Sequence, residues 1–418
     1  MSFYKKNPES YSNLAEHYRC RGNQDKYQHY MRMAVNAGEF EGKIDEPQAG
    51  QPAATSAPAM PSMEEIIQLY NQKRYDILLQ LALIHPNHKL LSYIAPSIHF
   101  ARGNPKLANQ VAEHIRDPEE YLIRKKTAKI WDGLHRSLKI EPRVHLLVLI
   151  YNREKYVEQA LAQLANTKYK NFAVYIADNG SSDKTWDIAR QAIARFPEHV
   201  QVHMEKLPTN IGRPAGHNWL LTNYDHSVAD YIAIGDDDLT EVPQEWMTQM
   251  VQTAKSFGNC AVVGGKALYS HRPDTIHGCA HRIEDFSSKL IVSNTSDFID
   301  FGQFDYVDKV DHVTGCLHIY DRKILFEDVG LFDISLSPCQ YVDVEHHLRV
   351  RLKGYDVIYN GLIAFRHLKA MGKESQKNRA MAGNTLGNII KVLYKHDQTV
   401  VRAKLHSLSE QRHAWLNS

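Results

Sequence analysis

From Val144 onward, apolar runs alternate with helix-like segments, and each apolar run empties into a polar loop. Val144-His-Leu-Leu-Val-Leu-Ile150 is a continuous apolar run, as expected for a strand buried on both faces of a parallel sheet. Helix-like Glu154–Leu164 follows, then strand Phe172–Ala177, helix Lys184–Arg195, strand Val200–Met204, helix Ala215–Leu221 and strand Tyr231–Ile234. Elements of these lengths in this order read as βαβ units in a three-layer α/β domain. Such sheets bind ligands outside the carboxyl ends of their strands. The polar loops fall at those ends.

The four loops are Tyr151-Asn152-Arg153, Asp178-Asn-Gly-Ser-Ser-Asp183, Asn210-Ile-Gly-Arg-Pro-Ala-Gly-His-Asn218 and Asp236-Asp-Asp238. Singly, each is ordinary turn chemistry; Asp183, for example, suits a helix N-cap. Gathered at one sheet edge, they form a candidate site. Three consecutive aspartates repel one another unless something cationic sits among them. Asp236-x-Asp238 also suits a hard divalent cation that keeps positions open for phosphate oxygens.

A chain of 418 residues has room for two or three domains. A formal net charge of +2 gives no reason to expect nucleic acid as a partner. Five scattered cysteines without CxxC spacing suit reduced thiols rather than a disulfide framework. Met1-Ser-Phe-Tyr-Lys-Lys lacks an apolar signal core, and no apolar run approaches the ~20 residues of a membrane span. The expectation is a cytoplasmic protein without a transmembrane segment.

Five regions are expected. Residues 1–46 read as a helical hairpin, 47–62 as a Pro/Ala-rich linker, and 63–140 as an all-α region. Residues 141–370 form the α/β domain, and 371–418 a basic loop with C-terminal helices. Arg21-Gly22-Asn23 is echoed by Arg102-Gly103-Asn104, so the helical pairs resemble degenerate tetratricopeptide-type repeats. Stacked pairs of that kind dock protein partners or a second copy of the chain; an irregular helical cap on the α/β domain is the alternative. The tail, Leu386–Trp415, either lies on an anionic membrane surface or packs against the rest of the protein.

The second half adds Asp311-His-Val-Thr-Gly-Cys-Leu-His318, helix-like Asp321–Asp328, Val329-Gly-Leu-Phe-Asp333, and a helix opening at Tyr341-Val-Asp-Val-Glu with Val344, Leu348 and Leu352 on one face. Asp343, near that helix N-terminus, has its anionic form favoured; capping the helix is its plainer role. Strand-like Asp356–Phe365 leads to His367, and Lys369–Lys377 reads as a mobile basic loop.

Between Val144 and His367 the chain resembles the inverting family 2 glycosyltransferases of GT-A fold, through the four loops above and the Gly-Leu-Phe-Asp segment leading to an acidic helix start. The resemblance implies a Rossmann-like three-layer α/β/α nucleotide-sugar domain, here preceded by an all-α helical-repeat-like domain. It places Tyr151 against the nucleobase, with Asp178 accepting a base N–H, which favours uracil or thymine, and Asn152 in the nucleotide-sugar site. Asn179, Asn210, Gly212, Arg213, Asn218 and Asp237 join the nucleotide-sugar site; Arg213 either reaches the diphosphate or ribose or pairs with an acid. Asp236 and Asp238 become the DxD motif, with His367 as a further metal contact for Mn²⁺ or Mg²⁺. Asp343 takes the place of the catalytic base, with Thr314, Gly315 and Glu345 on the acceptor side. Ile150, Asn179 and Val342 depart from the usual residues. The implied activity is transfer of a sugar from a UDP- or dTDP-type donor to a carbohydrate, lipid-linked or protein acceptor. This fits bacterial surface polysaccharide or glycoconjugate synthesis, at the inner face of the membrane. A nucleotidyltransferase would carry a Gly-rich first loop, which Tyr151-Asn-Arg-Glu lacks; a repeat scaffold with an inactive transferase domain is the non-enzyme alternative.

Overall fold

Ser62 opens the helical segment with a reciprocal cap: its hydroxyl accepts the Glu65 N–H while the Glu65 carboxylate accepts the Ser62 N–H. Two donors that a first helical turn leaves open are thereby satisfied. The structure, a computed structural model, describes residues 60–270, 274–286, 289–293, 295–368 and 379–418. The expected 1–46 hairpin, most of the 47–62 linker and the basic loop at Lys369–Lys377 lie outside the described residues. Helices α1 (Met63–Asn71), α2 (Tyr75–Ile84), α3 (Lys89–Ala101), α4 (Pro105–Ala112) and α5 (Pro118–Leu134) occupy the expected all-α stretch. Gly103 turns the chain between α3 and α4 at φ +67°, where a side chain would be strained. Helix α5 is stitched to the sheet. Thr127 Oγ1 accepts the Val307 N–H at 2.9 Å, and Arg124 donates to the Gln303 carbonyl at 2.7 Å.

The strands are β1 (Val144–Ile150), β2 (Phe172–Asp178), β3 (Gln201–Lys206), β4 (Tyr231–Asp236), β5 (Leu239–Glu241), β6 (Cys260–Tyr269), β7 (Ile276–Gly278), β8 (Ile283–Phe286), β9 (Lys289–Val292), β10 (Val307–Val310), β11 (Leu317–Asp321) and β12 (Asp356–His367). Ten of them form one sheet in the order β10-β12-β6-β11-β4-β1-β2-β3, with β5 on β12 and β7 on β6. The first half is parallel, as the alternating pattern predicts: β1 pairs with β2 and β4, and β2 with β3. The second half is mixed, because β11 enters antiparallel between β4 and β6.

Alternate residues of β1 enter two cores, which explains its unbroken apolar run. Leu146, Val148 and Ile150 pack with Leu161 and Leu164 of α6 (Val157–Ala165), whereas Leu147 packs with Leu220 and Leu221 of α8 (Arg213–Asn223). Helices α7 (Thr185–Ala192) and α9 (Trp246–Ser256) complete the layer on the α6 side. Gly216 lets α8 lie close to β1; a Cβ there would meet Leu149 Cδ2 at 2.7 Å.

The helix opening at Val342, α10 (Val342–Leu352), is not amphipathic as expected. It buries Glu345, His346, His347 and Arg351 along with Leu348 and Val350, while Val344 stays half-exposed. Polar faces are buried because the C-terminal helices α11 (Arg379–Lys395) and α12 (Gln398–Asn417) supply partners for several of them. The expected helix at Asp321–Asp328 is a π-helical turn, Ile324–Val329. Arg412 of α12 pairs with Asp308 at 2.6 Å and Glu119 at 2.8 Å, so the tail packs against the protein. No helix among the described residues is long and apolar enough to cross a membrane.

Candidate active site

Strand β4 ends at Asp236, and the chain reverses at once into β5, whose antiparallel pairing sets Leu239 opposite His367 at the end of β12. The tight reversal crowds three carboxylates into one turn, and the pairing delivers an imidazole to it. His367 Nε2 lies 2.8 Å from Asp238 Oδ1 and 3.4 Å from Asp236 Oδ2. Arg213 grips Asp236 at 2.6 Å, and Arg153 Nε approaches Asp237 at 3.5 Å and Asp238 at 3.4 Å. The repulsion expected of three adjacent aspartates is therefore offset by two guanidiniums and one imidazole.

Their titration follows from this crowding. Burial would raise Asp236, but the Arg213 charge and the His367 hydrogen bond hold it far below the ordinary carboxylate range. Burial, then the neighbouring Asp238 charge, pushes Asp237 up to about 7. Burial pulls His367 down, yet its hydrogen bonds with Asp236 and Asp238 win and lift it to about 9. Asp236, Asp238 and His367 each offer one ligand atom, all within 4.8 Å of one another. Two hard oxygens and one imidazole fit Mn²⁺ well and Mg²⁺ less well.

The nucleotide loops are tied to one another. Tyr151 donates its N–H to Asp237 Oδ2 at 2.8 Å, and the residue stays 38% exposed. Asn152 adopts φ +49°, which asparagine tolerates, and joins the Asp178–Asp183 loop through Ser181 Oγ and the Ser182 N–H. Asp178 is fully buried. Its Oδ1 accepts the Ser181 N–H at 2.8 Å, but Oδ2 has no hydrogen-bond partner among the described residues, with Lys206 Nζ 3.9 Å away. A buried acceptor without a donor costs roughly 1–3 kcal/mol.

Other expected site residues act as framework. Asn179 donates to Asn210 Oδ1 at 3.0 Å and accepts the Ile211 N–H at 3.0 Å. Asn210 also accepts the Gly212 N–H, and Gly212 takes φ +85° beside Ser337. Asn218 exchanges hydrogen bonds with both backbone groups of Phe332, at 2.8 and 2.9 Å. Arg213 bonds Asp236 and, at 3.1 Å, the Gly315 carbonyl.

Gly315 links the two halves of the site. Its N–H donates to Asp343 Oδ2 at 2.9 Å, and a Cβ here would sit 2.5 Å from that oxygen. Asp343 Oδ1 accepts the Val344 N–H at 3.0 Å, and about a third of the side chain remains open. Burial raises Asp343, but the charges of His312 and Arg213 bring it below the usual carboxylate value. Thr314 Oγ1 lies 3.5 Å from His281 Nε2.

Glu345 is fully buried among Arg349 at 3.0 Å, Lys395 at 2.8 Å and His396 at 3.1 Å, fastening α10 to α11. Burial would raise it, yet these partners hold it at about 2. Its folded value lies below the ordinary 4.5, so the stability it contributes is complete above about pH 4.5 and is lost as pH falls through about 2. Glu345→Gln is expected to lower unfolding stability by roughly 3 kcal/mol in denaturant titration at pH 7. Unchanged stability with a raised acceptor KM would instead assign Glu345 to the acceptor.

Sequence reasoning passed over Arg153, although a cation directly after Tyr151-Asn152 and three unpartnered aspartates elsewhere were a usable signal. It also missed the buried histidines around Asp343. His312 Nε2 is 3.8 Å from Asp343, and His312 Nδ1 meets His347 Nδ1 at 2.8 Å. His347 Nε2 in turn meets the Tyr320 hydroxyl at 2.9 Å. No local spacing marks these residues, because they come from three separate elements.

A parallel half-sheet with acids at its carboxyl edge, and a further carboxylate on a later helix, defines an α/β domain with a candidate site at one sheet edge. The family model described as Glycosyl transferase family 2 matches residues 146–327. Two Bacillus subtilis (strain 168) proteins, the "Putative glycosyltransferases" EpsE and EpsH, are similar. EpsE is 29% identical over 109 residues, 26% of this chain and 37% of its own length. EpsH is 30% identical over 113 residues, 27% of this chain and 30% of its own length. The chain thus spans about a third of the length of these curated relatives. Among solved structures, the mannosyltransferase PcManGT from Pyrobaculum calidifontis, in complex with GDP-Man and Mn²⁺, superposes with a TM-score of 0.46 at 15% identity, covering 71% of this chain and 84% of that one. GalNAc-T7 with UDP, GalNAc and Mn²⁺ gives 0.48 at 11% identity, covering 62% and 48%.

Proposed function

We propose that this protein is a metal-dependent inverting glycosyltransferase that moves a sugar from a UDP- or dTDP-type donor to a hydroxyl acceptor. The observation that carries this reading is the convergence of Asp236, Asp238 and His367 within 4.8 Å at the carboxyl edge of β4. Those three residues would hold Mn²⁺ or Mg²⁺, which when bound neutralises charge on the departing diphosphate. Tyr151 would stack on the base, and Asp178 Oδ2 would accept an imide N–H, which selects uracil or thymine by geometry.

The charges of His312 and Arg213 favour the ionised form of Asp343, the Gly315 and Val344 N–H groups orient it, and about a third of its side chain is exposed for an incoming hydroxyl. A low-pKa carboxylate takes that proton only as the oxygen attacks C1, which suits a single inverting displacement. Asp343→Asn should cut transfer on the order of 10²–10⁴-fold while leaving donor affinity within about twofold, read by initial rates and calorimetric titration. Loss of donor affinity instead would remove Asp343 from this role.

The acceptor is proposed to be a carbohydrate, lipid-linked or protein hydroxyl in bacterial surface polysaccharide or glycoconjugate synthesis, at the cytoplasmic membrane face. The helical segment before the sheet, proposed to be repeat-like, would dock a partner or a second copy. A thermal-shift screen of nucleotide sugars with and without Mn²⁺ tests the whole reading. The expected result is stabilisation by UDP- or dTDP-sugars only when Mn²⁺ is present; no response to any nucleotide with the ion overturns it.

A further inference from the structure

His367 belongs to a second cluster of a different chemical kind. His277 on β7 and Cys316, one residue before β11, meet it, and one ligand atom from each residue lies within 4.8 Å of the others. All three are more than nine-tenths buried. The His277 and His367 rings stack with centroids 5.0 Å apart and planes 7° apart. Asp236 and Asp238 offer hard oxygens, whereas this cluster offers a thiol and two imidazoles. Thiolate–imidazole sets select borderline-soft ions, above all Zn²⁺, over Mg²⁺ and Mn²⁺. A tetrahedral Zn²⁺ site with bonds of about 2.0–2.3 Å needs donor atoms roughly 3.3–3.7 Å apart, so these groups must close by about 1 Å. Three protein donors leave the fourth position for water.

We infer that His277, Cys316 and His367 form a Zn²⁺-binding site that competes with the Asp236/Asp238 site for His367. When the ion enters, Cys316 Sγ exchanges its proton for the metal and releases it to solvent; His367 gives up any proton it carries, and no electrons change hands. The path in runs past Asp236 and His367, whose side chains retain 13% and 11% exposure. Zinc capture itself is independent of sugar transfer; only the competition rests on the role proposed above for His367. A thiophilic ion seated here would draw His367 away from the carboxylates and so act as an inhibitor.

The test uses the full chain, reduced and stripped of metal, titrated with Co²⁺ under nitrogen. The expected result is a sulfur-to-cobalt charge-transfer band in the near ultraviolet, saturating at one ion per chain and erased by stoichiometric Zn²⁺. Cys316→Ser should lose the band, whereas Cys279→Ser should keep it. His277→Ala, a second variant that spares the thiol, should weaken cobalt binding at least tenfold. Preloaded Zn²⁺ should weaken Mn²⁺ binding at least tenfold, read by the electron paramagnetic resonance of free Mn²⁺. No band in the wild-type chain, a band that survives in Cys316→Ser, or full-strength cobalt binding in His277→Ala overturns the site. Mn²⁺ uptake unaffected by Zn²⁺ overturns the sharing of His367. Failure of Mn²⁺ to bind at all, with the cobalt band intact, counts against the proposed transferase metal and not against the zinc site.

Discussion

Asp238→Asn is expected to lower Mn²⁺-dependent sugar transfer by roughly 10³-fold or more, with little loss of folding. Several kcal/mol of transition-state charge stabilisation is a usual contribution of a bound divalent ion, and each 1.4 kcal/mol is about tenfold in rate. Asp238 faces both His367 at 2.8 Å and Arg153 at 3.4 Å, so it sits at the centre of the charged turn. The amide keeps the shape of the carboxylate, and removing one of three adjacent negative charges relieves their mutual repulsion, which is why the fold should tolerate the change. The measurements are initial rates across a Mn²⁺ titration and a thermal melt of the same preparation. Near-normal turnover at saturating Mn²⁺ would refute the metal role; lost activity with a collapsed melt would instead make Asp238 a structural residue.

The second large effect is acid lability well above the carboxylate range. Burial holds His145, His217 and His346 down at about 3 and His318 at about 4, and pushes His347 well below its ordinary value. His318 has no hydrogen-bond partner for either ring nitrogen among the described residues. Each of these folded values lies below the unfolded 6.5. Their stabilising contribution is therefore complete above about pH 6.5, and it is lost as pH falls from there toward 3–4 while the unfolded chain takes up protons. Each such histidine steepens the loss by about 1.4 kcal/mol per pH unit, against a total stability of about 5–15 kcal/mol. Asp237, raised to about 7, opposes this with one proton, and His367, raised to about 9, is protonated in both states below 6.5 and adds no slope there. His226 and His312, also lowered by burial, add to the loss, while Asp300 and Glu120, raised by burial, oppose it, so the balance remains a loss of several kcal/mol on going from neutral to acid pH. The melting temperature should drop steeply between pH 6.5 and 5.5 in metal-free buffer. A flat profile from pH 7 to 5 would mean that the histidines are charged or hydrated in the folded protein.

The parallel half of the fold was readable because its signals are local. Runs such as Val144–Ile150 and Phe172–Ala177 are apolar on both faces, and the breaks after them carry turn residues, so β1 to β4 lie within two residues of their expected positions. The mixed half was not readable in this way. The order that places β11 antiparallel between β4 and β6 is a matter of long-range pairing, and no residue of Leu317–Asp321 announces its neighbours. The misjudged face of α10 has the same origin: Val344, Leu348 and Leu352 suggested a single stripe, but Glu345 and Arg351 are buried with partners from distant segments, Lys395 and Asp311.

The amino-acid order alone determined where carboxylates must cluster, since a strand that ends in Gly-Asp-Asp-Asp exposes all three acids to one turn whatever surrounds it. The tertiary structure decided what answers them. Arg213, Arg153 and His367 reach the aspartates only because α8, the first loop and the end of β12 converge on one edge. The open oxygen of Asp178 and the thiol and imidazoles gathered at Cys316 are likewise products of packing. Charge and burial act through space over a few ångströms, and which residues become such neighbours is set by strand order rather than by position along the chain.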